Sequence, residues 1–65
     1  MEYPEPGSRV RLGLLSGKVR RYTHQRTPEA GGAMFHIDLI DWDTGGSMKV
    51  EKAMETGLLE RVDSW

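Results

Sequence analysis

The chain has no cysteine among its 65 residues, which removes disulfides and every thiolate metal site at once. That absence matters because a domain this short hides only about 60% of the surface its unfolded chain exposes. Small folds are commonly reinforced by disulfides, a metal or association, and the first of these is closed to this one. A cysteine-free chain also fits a reducing compartment, so the cytoplasm is the expected location. No apolar run approaches the roughly 18 residues a membrane helix needs, and no membrane partner is expected. The opening Met1-Glu2-Tyr3-Pro4-Glu5-Pro6 is polar and lacks the basic-then-apolar pattern of a signal peptide.

Acidic residues are missing between Glu5 and Glu29. Arg9, Arg11, Lys18, Arg20, Arg21 and Arg26 follow one another with no carboxylate between them. From Glu29 onward the balance reverses, and the formal net charge is −1. Two arrangements satisfy that pattern: a dipolar molecule with a basic face, or strands that interleave the charges into a neutral surface.

What is present reads as one domain of short strands. Residues 1–6, with two prolines, form an extended N-terminal tail, and residues 7–65 form the domain. Val10 and Leu12 alternate with Arg9 and Arg11, as a strand with one wet face requires. Gly13-Leu14-Leu15-Ser16-Gly17 suits a turn or short irregular loop. Lys18 to His24 is the second strand, with Val19 inward, Lys18 and Arg20 outward, and either Tyr22 or Thr23 as the next inward residue. Gln25 to Ala33 is a glycine-containing connection.

Met34 to Trp42 is the third strand. Phe35, Ile37 and Leu39 share one face, while Ile40 and Trp42 fall on the other, which calls for a bulge or a strand end apolar on both sides. Asp43-Thr44-Gly45-Gly46 is a hairpin signal, and Ser47 to Met54 is the returning strand. Glu55-Thr56-Gly57 suits one 3₁₀ turn before a fifth strand, Leu58 to Val62, trailed by Asp63-Ser64-Trp65. A competing helix over Val50 to Arg61 has the right spacing, but Gly57 costs it about 1 kcal/mol relative to alanine.

This run resembles the SH3-like barrels, including the Tudor-like and KOW-type domains. Its carriers are Gly7-Ser8-Arg9-Val10-Arg11-Leu12, Gly17-Lys18-Val19, Ile37-Asp38-Leu39-Ile40-Asp41-Trp42-Asp43 and Leu58-Leu59-Glu60-Arg61-Val62, so it spans roughly Gly7 to Asp63. KOW-type chains usually carry closely spaced glycines before the second strand, where only Gly13 and Gly17 stand here. The resemblance implies an all-β, five-stranded SH3-like barrel with a 3₁₀ turn before its last strand, and it selects no single family.

Motifs for chemistry fail position by position. Gly13-Leu14-Leu15-Ser16-Gly17-Lys18-Val19 is one residue short of a P-loop, and Val19 stands where a hydroxyl should hold magnesium. Asp41-Trp42-Asp43-Thr44-Gly45-Gly46 starts like a calcium loop but has Gly45 at the fifth position and Lys52 at the twelfth. His24, His36 and Asp38 are the one conceivable metal or general-base cluster, against the simpler reading of two partly exposed histidines. The expectation is a binding module without catalytic residues, metal or cofactor.

Two surfaces could bind. Arg9, Arg11, Lys18, Arg20, Arg21 and Arg26 offer cations to nucleic acid or to an acidic protein, with Tyr22 able to stack if it points outward. Carboxylates of adjacent strands pairing with these arginines is the plainer alternative. Ile40 and Trp42 offer an apolar patch, or a strand edge its backbone, for a protein partner, a larger assembly or a homodimer, unless Trp42 caps the core. Tyr3 and Trp65 are further aromatics without an obvious core place, and could line a cage for a cation as in Tudor-like barrels.

Overall fold

The computed structural model describes residues 2–25, 31 and 34–62, with positions 24 and 25 described through their backbone. Five antiparallel strands, β1 (Arg9–Leu12), β2 (Leu15–Gln25), β3 (Met34–Trp42), β4 (Ser47–Lys49) and β5 (Leu59–Val62), form one sheet in the order β4-β3-β2-β1-β5. One helix, α1 (Val50–Glu55), lies between β4 and β5. The mostly β architecture is therefore as expected, but the sheet is open: β4 and β5 are its two edges, and no pairing closes it into a barrel.

Local chemistry explains the strand connections. Gly13, at φ +61°, takes the first position of a two-residue turn that brings Leu12 opposite Leu15. The expected five-residue loop is thus two residues, and β2 starts at Leu15. Gly45 and Gly46, at φ +108° and +80°, close the β3–β4 turn, where Trp42 donates its N–H to Gly46 O at 3.0 Å.

The helix corrects the sequence reading of Ser47 to Met54 as strand followed by a 3₁₀ turn. β4 ends at Lys49, and Val50, Ala53 and Met54 then repeat at helical spacing, the first two fully buried and Met54 packed against the core. Six residues are too few to be helical alone, so that packing is what stabilises the turn. Thr56 ends it, with its Oγ1 donating to Ala53 O at 2.7 Å, and Gly57 follows at φ +73°.

Val10, Val19, Ile40, Trp42, Val50, Ala53 and Leu59 are the buried core, with Leu12, Met48 and Met54 packed on it. The inward set of β3 is therefore Ile40 and Trp42, while Phe35, Ile37 and Leu39 lie on the opposite face. β2 and β3 pair one-to-one from Gly17↔Trp42 to Gln25↔Met34, without a bulge. On β2 the inward positions are Gly17, Val19, Arg21 and Thr23, and Tyr22 points outward.

β1 covers β2 only over Leu15–Lys18, and β4 covers β3 only over Leu39–Asp41. Beyond those limits the β2–β3 hairpin continues as a two-stranded arm. It makes the chain elongated, 43 × 21 × 21 Å, with a radius of gyration of 13.5 Å against about 11 Å for a compact chain of this length. The N-terminal segment is tied back onto the sheet. Gly7 N–H donates to Val19 O at 2.7 Å, Ser8 O accepts from Val19 N–H at 2.9 Å, and Pro4 is buried.

Candidate nucleic-acid interface

Alternation sorts the cations. Arg9 and Arg11 on β1, and Lys18 and Arg20 on β2, share the outer face of the sheet, opposite the core. Arg21 is one residue out of step and lies on the inner face. Arg26 and Trp65 lie outside the described residues. The sequence thus groups six cations that the sheet divides, four of them on one surface.

Each described arginine of that group meets a carboxylate. Arg11 bonds Glu60, its cross-strand neighbour on β5. Arg9 makes a two-pronged contact with Asp43, 2.9 Å from Nη1 to Oδ1. Arg20 Nε donates to Asp41 Oδ2 at 2.6 Å, and Arg21 Nε to Asp38 Oδ1 at 2.9 Å. These hydrogen bonds and charges hold Arg9, Arg20 and Arg21 more firmly protonated than usual, and Arg9 holds the Asp43 carboxyl below the ordinary range. Interleaving of the charges is therefore real at these arginines. The pairs of Arg9, Arg11 and Arg20 are exposed on both sides and such pairs are weak, so a polyanion competes for these arginines at small cost. The Asp38 side chain paired with Arg21 is instead buried. Lys18 makes no ion pair among the described residues.

The same outer face carries apolar groups, and it settles the open choice on β2 by placing Tyr22 outward. Tyr22 is 48% exposed, Phe35 41% and Ile37 37%, and Tyr22 stands directly opposite Ile37. Parity was the signal available for finding them: stepping back by two from a core Trp42 reaches Ile40, Asp38 and His36, never Ile37 or Phe35. Ile40 and Trp42, the expected protein interface, are instead core residues at 0% and 8% exposure. They are not available to a partner on the folded chain, because the inner face of β3 lies in the core together with Val50 and Ala53 of α1.

Two hollows flank the arm. A shallow groove of about 530 Å³ runs between the N-terminal segment and β2, lined by Pro6, Gly7, Lys18, Val19, Arg20, Arg21 and Asp41. On the inner side a hollow of about 200 Å³ is lined by Tyr3, His36, Ile37, Asp38, Lys49 and Glu51. Tyr3 there donates its hydroxyl to Asp38 Oδ2 at 2.8 Å. Nearly half of Tyr3 is exposed, but its hydroxyl end is turned in against Asp38. Burial of the hydroxyl, followed by the hydrogen bond to Asp38 and its charge, pushes the Tyr3 phenol up to about 12. Hydrogen bonds from Arg21 and Tyr3 outweigh burial and hold the Asp38 carboxyl below the ordinary range.

His36 lies opposite Thr23, whose hydroxyl is 3.2 Å from Nδ1, and His24 is in register with Phe35. His24, His36 and Asp38 are therefore not a cross-strand set, and among the described residues no three His, Asp or Glu side chains are placed to hold a metal ion. No described helix is long and apolar enough to cross a membrane. Comparison with known family models, curated proteins and solved structures gives no match.

Proposed function

We propose that this chain is a non-catalytic binding module, SH3-like in fold, that docks on single-stranded nucleic acid through the outer face of its sheet. The fold reading is supported by five antiparallel strands, an up-and-down order for the first four and the return of β5 to β1. One observation carries the functional reading. Arg9, Arg11, Lys18 and Arg20 share an exposed face with the outward aromatics Tyr22 and Phe35. Cations that track phosphates beside aromatics on which bases stack are what binding of single strands requires. The groove between the N-terminal segment and β2, lined by Lys18, Arg20 and Arg21, adds cations at the edge of that face.

The test is anisotropy of labelled 12-nucleotide single strands of RNA and DNA, and of the corresponding DNA duplex, between 25 and 200 mM salt. Contacts from four cations give a log–log salt slope of about −3 for single strands. Tyr22→Ala weakens binding roughly 5- to 160-fold, the effect of about 1–3 kcal/mol per stacked base. No binding at 25 mM salt refutes the proposal, and tighter binding of the duplex refutes the stacking part.

A protein-binding reading is favoured by a different feature of the same face. Tyr22, Phe35, Ile37 and half-buried Leu39 form an apolar stripe on the arm, flanked by the Arg20–Asp41 pair. Aromatic side chains and arginine are enriched at protein interfaces. A partner held that way binds with little dependence on salt.

A further inference from the structure

The backbone of β3 carries a slot that no described strand fills. Trp42 donates its N–H toward β4, so by the two-residue repeat Ile40, Asp38, His36 and Met34 present their N–H and C=O groups on that same side. β4 stops at Lys49, opposite Leu39, and the chain turns into α1. The five positions Met34 to Asp38 are left with no strand on that edge among the described residues. Natural edges are usually guarded by lysine, proline, a bulge or a cover. This stretch has none of the first three, and its register with β2 is uninterrupted.

We propose that the slot is filled by the same five residues of a second copy, paired antiparallel about a two-fold axis through His36. The segment is self-complementary in that register. His36 meets His36 of the copy, Met34 meets Asp38, and on the outer face Phe35 meets Ile37 twice. Large apolar side chains directly opposite one another are favourable cross-strand pairs. The one carboxylate in the slot, Asp38, faces Met34 of the copy and is already paired with Arg21 and hydrogen-bonded by Tyr3. The two His36 side chains are the one ionisable pair of like kind, and with both neutral no like charges are opposed.

The other open edge of the arm suits a partner less. Over Arg20–Gln25 it carries the adjacent cations Arg20 and Arg21, and Gly7 and Ser8 close its inner end at Val19. Pairing through β3 joins two two-stranded arms into one four-stranded sheet. A lone two-stranded ribbon is marginal in water, whereas three or more strands with an apolar face are not. The outer stripe then runs unbroken from Tyr22 of one copy to Tyr22 of the other.

This inference stands apart from the nucleic-acid reading, and its test uses no ligand. Sedimentation equilibrium over 5 µM to 1 mM is expected to give a reversible species of twice the chain mass. Amide exchange by NMR across the same range is expected to slow at least tenfold at His36 and Asp38 and to be unchanged at Arg21 and Thr23. His36→Pro removes an N–H directed into the slot, and Ile37→Lys charges the outer pair while leaving the backbone intact. Each is expected to stay folded by circular dichroism and to raise the dimer dissociation constant at least tenfold. A wild-type chain that is monomeric at 1 mM overturns the proposal, as does a dimer whose His36 amide exchanges as in the monomer. A dimer indifferent to Ile37→Lys in a folded variant overturns it too.

Discussion

Gly17→Ala is the substitution that most directly tests how this sheet is packed. Gly17 sits on the inner face of β2, opposite Trp42 on one side and Val10 on the other. A methyl group there would lie 2.6 Å from Asp41 O, 2.8 Å from Ile40 Cγ2 and 2.9 Å from Trp42 Cε3. The first of these is backbone within the β2–β3 ladder and cannot swing aside, and the third is a buried ring. Gly17 is not among the glycines with positive φ, so it is needed for close approach rather than for its backbone angle. Elsewhere in a strand, glycine to alanine gains about 0.5–1 kcal/mol. Here overpacking reverses the sign and costs about 1–3 kcal/mol net.

A domain of this length has roughly 3–10 kcal/mol to lose, so the variant forfeits a large share of its stability. In urea, with a slope near 1 kcal/mol/M, the midpoint drops by about 1–3 M. The melting temperature falls by about 4–8 °C per kcal/mol. Circular dichroism across a urea series measures both. A Gly17→Ala protein as stable as the parent, or more so, would refute the placement of Trp42 over β2.

Trp42→Ala opens a hole in a seven-residue core and is expected to cost about 3–5 kcal/mol, leaving little folded protein by circular dichroism at 37 °C. A folded, stable Trp42→Ala chain would instead favour Trp42 as an interface residue. Asp38, held below its ordinary pKa, contributes stability that is complete above the unfolded value near 4 and is lost as pH falls through the folded one. Thermal melts between pH 2 and 6 should show that loss, and Asp38→Asn should remove part of it. Tyr3 works in the opposite sense. Its raised pKa gives stability that is complete below pH about 10 and is lost as pH rises toward 12, so melts between pH 9 and 12 should be flatter for Tyr3→Phe. Arg11→Ala removes a solvent-exposed ion pair with Glu60 and is expected to shift stability by less than about 1 kcal/mol.

The sequence by itself determined the β character, the Asp43–Gly46 hairpin and the outward run of Arg9, Arg11, Lys18 and Arg20. These depend on glycine dihedral freedom and on two-residue alternation, both local properties of the chain. The tertiary structure alone decided which face of β3 is inside. Phe35, Ile37 and Leu39 make as good a core stripe as Ile40 and Trp42 until Gly17 and Val19 are set opposite the latter. It also decided that Val50–Glu55 is helical, because a six-residue helix exists only where Val50 and Ala53 have a sheet to pack on. The pairing of Arg9 with Asp43 and of Arg11 with Glu60 joins residues 34 and 49 positions apart. No local pattern encodes such partners, because strand order brings them together only after the chain has folded.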